Sequence, residues 1–366
     1  MAKSPPVHPD RIRRLSSALK TAGVDAMIVK NPVNVRYLCG FDGTYGVLIV
    51  DQRRARFVTD CRYTESAQSI VNGAHVLEQP MKDVKGFFRD LLKKADYESV
   101  GYEGSITVDE FDSLKSWTRG LKLKLSKQEA HILEMRAVKD ESEIRIIRKA
   151  AKVADLMMQA ALESIRPGVR EIEISRLIRR AAEDFGGTGE SFDNIVATGR
   201  NSSRPHHHPS PSKVKKGDMV TIDLGAVVGG YCSDMTRNPV VGKVSRKFEQ
   251  IYEVCLAAQK AAVDACRAGV DCRELDGVAR EIISTAGYGE YFGHGLGHGV
   301  GIEIHEGPRL SPRGAGKLRE GHVVTVEPGI YIPGFGGVRI EDLVVVTKGK
   351  PKVLSRNPKD LTVLPV

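Results

Sequence analysis

Four acidic residues in this chain are spaced so that they could act together. Asp223 follows Gly217-Asp218-Met219-Val220-Thr221-Ile222, and Glu327 follows Gly321-His322-Val323-Val324-Thr325-Val326. The two runs resemble each other at an offset of 104 residues. Each carboxylate therefore ends a Val/Thr-rich strand, and each strand then turns back. After Asp223 the pair Gly229-Gly230 is a two-residue hairpin signal. The register it sets puts Asp234 beside Gly225, diagonal to Asp223 and on the same face. After Glu327 the turn is Pro333-Gly334-Phe335-Gly336-Gly337. Centred on Gly334, it sets Glu341 roughly opposite Glu327. Four carboxylates then converge on a framework of Val220, Ile222, Val324, Val326, Val338 and Ile340. Such charges repel strongly in a low-dielectric site, so protons or metal ions must neutralise them. Two divalent cations balance four carboxylates. The competing reading is four solvated acids at hairpin ends.

A fifth ligand is expected to be a histidine. The segment from Gly293 to Glu306 offers His294, His298 and His305. Oxygen-rich ligation with an imidazole or two favours Mn²⁺, Co²⁺, Fe²⁺ or Zn²⁺ over a thiolate-type site. His294 and His298 have the i, i+4 spacing of a helical metal pair, yet the glycines between and around them disfavour a helix. A glycine-rich strand or loop fits better. It is not a dinucleotide fingerprint, because no helix follows the glycines.

The elements that must hold these residues form an internal duplication. Arg166-Pro167-Gly168-Val169 resembles Arg267-Ala268-Gly269-Val270, and glycines close the following helices at Gly186 and Gly287, all offset by 101 residues. Two copies of a helix–helix–strand–hairpin unit predict a pseudo-two-fold sheet with helices on one side. The first helix starts at Asp140, with Glu143 as its capping-box partner, and apolar residues recur at helical spacing from Ile144 to Ala161. Before residue 130 the pattern differs. A helix over Arg11–Ala22, strands at Ala26–Val29, Gly46–Val50 and Ala55–Thr59, a helix over Asp83–Lys94 and a strand at Val100–Tyr102 argue a small α/β domain. Lys122–Lys127 reads as a connection. The expected fold is α+β, with domains over residues 1–131 and 132–366.

Composition bounds the rest. At 366 residues and 40.0 kDa, two or three domains are expected. With 41% apolar and 28% charged residues, the chain is neither disordered nor collagen-like. No apolar run approaches the ~20 residues a bilayer span needs. The polar, proline-bearing start from Met1 to Arg14 lacks a signal-peptide core, which predicts a cytoplasmic protein. Cys39, Cys61, Cys232, Cys255, Cys266 and Cys272 form no CxxC pair and read as buried thiols. The net charge of +9 comes from scattered basic groups without interleaved aromatics. That pattern is a solvated surface rather than a nucleic-acid site, and no membrane contact is expected.

Asp223, Asp234, His298, Glu327 and Glu341 have the types, order and spacings of the dinuclear site in the pita-bread metallopeptidases. That superfamily includes methionine aminopeptidase, Xaa-Pro aminopeptidase and Xaa-Pro dipeptidase. The resemblance covers about residues 140–366. It implies that His298, seven residues before the His305-Glu306 pair, is the metal ligand. His305 resembles the histidine that holds the substrate carbonyl, and His206 the other active-site histidine. Glu327 would also relay the proton, and Arg339 would orient Glu341. His294, Arg309 and Tyr331 are further substrate-side candidates; Tyr331 could equally be an ordinary strand aromatic. The segments Asn34–Phe41 and Thr59–Glu65 resemble the creatinase/prolidase N-terminal domain, which points to the proline-specific branch.

The resemblance thus implies an exopeptidase with two divalent ions, Mn²⁺ foremost and Co²⁺, Zn²⁺ or Fe²⁺ as alternatives. Its substrates would be proline-containing peptides, and the chain would pair as a homodimer. Xaa-Pro aminopeptidase is the leading expectation and Xaa-Pro dipeptidase the alternative. Arg309 could hold a dipeptide carboxylate, yet the resemblance implies that aminopeptidase-like members carry an arginine there too. A non-catalytic pita-bread binding module is the distant third reading. His207 and His208 are expected on the loop surface, and His322 at an exposed strand start.

Overall fold

A computed structural model describes residues 10–243 and 245–366. Residues 1–9, most of the polar N-terminal stretch, lie outside the described residues. The chain divides into two compact units between Arg136 and Ala137. A boundary at residue 131 would cut the helix Ala130–Ala137. That helix belongs with the first unit because Ile132, Met135 and Arg136 are buried. Arg136 Nη1 donates to Asn34 Oδ1 at 2.7 Å, and Tyr37 Oη donates to the Met135 carbonyl at 3.0 Å.

The first unit is built on a six-stranded mixed sheet. Its order is His75–Glu78, Ala55–Thr59, Val47–Asp51, Ala26–Val29, Ser99–Tyr102 and Lys124–Lys127. The three central apolar runs are buried along their whole length, as expected of strands covered on both faces. Phe88 and Trp117 stack at 3.9 Å between centroids beneath them. The basic stretch near residue 124 is not a mere connection. Lys124–Lys127 pairs in parallel with Ser99–Tyr102 as an edge strand. Its two lysines are exposed and Leu125 is half-buried, a charge pattern suited to an unpaired sheet edge.

The second unit contains the duplication. Helices Glu141–Ser164 and Glu171–Asp184 precede strands Ile195–Thr198 and Val220–Leu224; helices Arg246–Ala265 and Cys272–Thr285 precede Gly297–Gly299 and Val323–Val326. Asp140 caps the first helix, accepting from the Ser142 and Glu143 amides, and Glu143 returns the bond to the Asp140 amide. The backbone repeats as well. Gly168 and Gly269 have φ of +93° and +92°, and Gly217 and Gly321 have +86° and +89°. Each pair is a left-handed turn that favours glycine. Each copy buries its own helix pair on its own strands: Met157, Ile174 and Ile178 on Val220 and Ile222, and Ile251, Leu275 and Ala279 on Val324 and Val326.

The hairpin registers agree with the glycine reading. Tyr231 pairs with Val228 across Gly229-Gly230, and Met235 pairs with Leu224, so Asp234 falls beside Gly225. Gly329 pairs with Arg339 and Val326 with Asp342, so Glu341 falls opposite Glu327. A buried ionic cluster joins the two copies. Arg237 Nη2 lies 2.8 Å from Asp342 Oδ1. Asp342 Oδ2 accepts from Lys359 Nζ at 2.6 Å and Gln259 Nε2 at 3.0 Å. Among the described residues no helix is long and apolar enough to cross a membrane.

Breaking that cluster should be severe, because it leaves Arg237 buried without its carboxylate. Asp342→Ala is expected to destabilise the fold by about 3–5 kcal/mol, read as a shift of the denaturant midpoint. A shift within experimental error would show that the cluster does not hold the copies together.

Candidate metal centre

The two hairpins and the strand Gly297–Gly299 bring the candidate ligands together. One ligand atom each from Asp234, His298 and Glu341 lies within 4.8 Å of the others. His298 Nε2 is 3.6 Å from Asp234 Oδ2 and 3.4 Å from Glu327 Oε1. Asp223 is buried, and its Oδ1 has no hydrogen-bond partner among the described residues. The His298 Nδ1–H donates to the Gly299 carbonyl at 3.1 Å, which leaves Nε2 with its lone pair facing the carboxylates.

The electrostatics are those of too many negative charges in too little water. Burial, then the charges of Glu341, Asp223 and Glu327, push Asp234 well above the usual carboxylate range. Burial, then Glu327 and Asp223, do the same to Glu341. Glu327 is pushed up to about 7 by burial, with Asp223 adding to it and Arg339 opposing. Burial also pushes His298 down to about 4, so its ring is neutral. An orphaned buried oxygen on Asp223, a neutral imidazole nitrogen and crowded carboxylates fit divalent cations on oxygen and nitrogen donors.

Two threonines not singled out by sequence support this set. Thr236 Oγ1 donates to Glu341 Oε2 at 2.6 Å and accepts from Arg339 Nε at 3.0 Å. Thr325 Oγ1 donates to Glu327 Oε1 at 3.2 Å and accepts from the His298 amide at 3.0 Å. The available signal was strand period: each threonine stands two residues from a carboxylate and shares its face.

Arg339 does not bond Glu341, the partner expected from its place two residues away. Its Nη2 lies 2.6 Å from Asp223 Oδ2, and its Nη1 donates to Tyr331 Oη at 2.8 Å. The long side chain passes its near neighbour and reaches the other copy, touching Glu341 only through Thr236. Tyr331 Oη also contacts His294 Nε2 at 3.1 Å. The His294 Nδ1–H donates to the Gly295 carbonyl at 2.8 Å. Burial, helped by Arg339, pushes the ring down to about 4, so Nε2 accepts and the Tyr331 hydroxyl donates. His294 and Tyr331 thus join a buried chain that ends on Asp223.

His206, His305 and Arg309 are exposed. The His305 ring lies 4.4 Å from that of His298. Burial of its inner part, then the charges of Arg309 and His206, lower the His305 pKa. Arg309 stands directly across the strand pair from His298. These three form a basic rim beside the buried carboxylates.

Two other histidines depart from expectation. His207 is buried with Nε2 2.8 Å from Glu171 Oε2, whereas His208 is exposed. His322 is buried, and its Nδ1 accepts the Arg319 amide at 3.1 Å. Asp218 closes the matching turn of the first copy by accepting the Lys215 amide at 2.8 Å. A side chain that closes its own turn is drawn inward, which a surface reading misses.

Comparison with known proteins gives the family. Residues 145–348 match the family model "Metallopeptidase family M24", and residues 11–138 match "Creatinase/Prolidase N-terminal domain". The chain is 38% identical over 359 residues to the Xaa-Pro dipeptidase of Pyrococcus furiosus, covering 96% of this chain and 99% of that protein. The solved Xaa-Pro dipeptidase from Bacillus anthracis superposes with a TM-score of 0.92 at 40% identity, over 97% of this chain and 99% of that one. An X-Pro aminopeptidase from Thermotoga maritima superposes with a TM-score of 0.89 at 34% identity, over 97% and 100%.

The site sets the pH response of metal-free protein. Its raised carboxylates hold protons in the folded state that the unfolded chain has released. The stability they contribute is present below the unfolded value and is lost as pH rises towards about 7 for Glu327. The lowered histidines act oppositely, losing stability only as pH falls below 6.5. Towards pH 8 the unfolded imidazoles are also neutral, and the carboxylates set the slope. In chelator the melting temperature should therefore fall from pH 6.5 to 8. Glu327→Gln should restore of order 3 kcal/mol at pH 8 and little at pH 5. A melting temperature that rises over that interval would mean the acids are solvated.

Proposed function

This chain belongs to metallopeptidase family M24, and from that premise we propose that it cleaves Xaa-Pro dipeptides. It is a proline-specific metallo-exopeptidase of the Xaa-Pro dipeptidase and aminopeptidase type. The preference within that type rests first on Arg309. Arg309 presents an exposed guanidinium across from His298 and beside His305. A guanidinium fork there suits the free carboxylate of a dipeptide, which in a longer peptide lies further from the scissile bond. The sequence alone favoured the aminopeptidase. The position of Arg309 and the likeness to two dipeptidases support the other choice, while the Thermotoga maritima likeness supports the aminopeptidase.

Asp223, Asp234, His298, Glu327 and Glu341 would hold two divalent ions, Mn²⁺ foremost because four of five ligands are hard oxygens. Such ions supply Lewis acidity toward a carbonyl and lower the pKa of water. The protein's own groups do the rest. Glu327 takes a proton from the attacking water at a carboxylate oxygen and hands it to the departing proline nitrogen. That nitrogen belongs to a tertiary amide without an N–H, so the proton must be delivered. His305 and His206 hydrogen-bond the carbonyl oxygen as negative charge grows there. Arg339 and Thr236 hold Asp223 and Glu341 in place. The pairing of two copies belongs to the same proposal and is read by sedimentation.

Turnover of matched Xaa-Pro and Xaa-Pro-Yaa peptides by metal-loaded protein tests this reading. The dipeptide should be the better substrate, and Arg309→Met should raise its KM by about 10- to 100-fold, the equivalent of losing a charged hydrogen bond. Equal or better hydrolysis of the tripeptide, with KM indifferent to Arg309, would hand the assignment to the aminopeptidase. Elemental analysis should find two divalent ions per chain, and Asp234→Ala should lose both metal and turnover.

A further inference from the structure

Outside the metal centre, Glu171 accepts five hydrogen bonds from described residues. It stands at the first position of the helix Glu171–Asp184 and is fully buried. Its Oε1 accepts from the Thr198 amide and Asn201 Nδ2, each at 2.8 Å. Its Oε2 accepts from the Ser210 amide at 3.0 Å, the Ser210 hydroxyl at 2.6 Å and His207 Nε2 at 2.8 Å. Burial alone would push this acid up. Bonds from Ser210, Thr198, Asn201 and His207 outweigh it and hold the group below the ordinary glutamate value. An ionised carboxylate only accepts, so the His207 ring nitrogen must be the donor.

All five donors come from one segment, residues 198–210, that wraps around the carboxylate. The segment carries His206, which is exposed. It is also held from the opposite side. The Pro205 carbonyl accepts Arg339 Nη1 at 3.3 Å, and Ser202 Oγ accepts the Gly337 amide at 2.9 Å. His206 therefore lies between two fixed neighbours, Pro205 tied to the metal-site arginine and His207 tied to Glu171. Of the three consecutive histidines, one has its ring engaged inward and two face out. His206 is among the charges that lower the pKa of both His294 and His305.

We propose that Glu171 and His207 are positioning residues for His206: the buried carboxylate–imidazole pair fixes the loop so that the neighbouring imidazole faces the reacting carbonyl. Only the role of His206 rests on the exopeptidase reading; the pin itself does not. A misplacement of about 1 Å at a group that hydrogen-bonds a developing charge can lower the rate about 100-fold. Removing the pin should therefore lower kcat and leave substrate and metal binding nearly unchanged.

The test uses full-length, metal-loaded protein and the variants His207→Leu and His207→Gln. The glutamine amide can reach the place of Nε2 and donate to Glu171. His207→Leu should lower kcat about 10- to 100-fold, with KM and bound metal within about twofold. His207→Gln should recover most of the loss. In a His206→Ala background, His207→Leu should have no further effect, because the two act as one unit. An equal loss of kcat in both backgrounds would overturn the proposal. Hydrogen exchange provides an independent readout: amides of residues 198–210 should exchange faster in His207→Leu and at the wild-type rate in His207→Gln. Unchanged exchange in His207→Leu would overturn the pin whatever the enzyme turns over. Should the wild type cleave no proline peptide, the exopeptidase reading falls, and the exchange result alone decides the pin.

Discussion

Mutual repulsion among buried carboxylates is the constraint to which this catalytic unit conforms. Asp223, Asp234, Glu327 and Glu341 share one low-dielectric space, and one arginine, Arg339, faces them with its full charge. One cation cannot balance four anions. Hydrogen bonds from Thr236 and Thr325 orient two of the acids but add no charge. The remaining imbalance can be met by protons, which destroys the ligands, or by bound metal ions, which uses them. The scaffold must hold the acids close in the meantime. The apolar strand cores on either side and the Arg237–Asp342–Lys359 cluster at the junction do so.

Much of this arrangement was legible because it depends on short-range rules. Glycine pairs fixed the turn centres, and turn centres fix register, so Asp234 and Glu341 could be placed by counting. The capping box at Asp140 is likewise local. The duplication was visible because glycines needed for left-handed turns recur in order in both copies.

What could not be read depends on reach or on tertiary cover. Arg339 was assigned to the carboxylate two residues away, but a guanidinium on a long stem spans the junction and pairs with Asp223 instead. His207 looks like any loop histidine until Glu171, 36 residues earlier, is folded beneath it. His322 is drawn inward by its own turn. The edge strand Lys124–Lys127 was hidden because an edge tolerates the charged, weakly alternating sequence that also marks a connection.

The two copies agree where charge must be balanced and differ where a substrate must be handled. Each contributes a strand-end carboxylate and a second one from its hairpin. Ile195 pairs with Asp223, and the Glu327 amide donates to the Leu296 carbonyl, so His298 occupies the place of Ala197 in the first copy. One imidazole among four carboxylates makes the site asymmetric in both charge and donor type. The outer histidines nevertheless occupy comparable segments, His206 after the strand Ile195–Thr198 and His305 after Gly297–Gly299. Each segment is tied down through a buried side-chain pair, His207 on Glu171 in one copy and Glu306 on Lys139 at 2.9 Å in the other. A rigid, symmetric carboxylate cradle and two separately anchored histidine loops are then distinct parts of the fold. The first sets where charge is balanced and the second where a peptide is met, and Arg339, bonded to both Asp223 and the Pro205 carbonyl, couples one loop to the cradle.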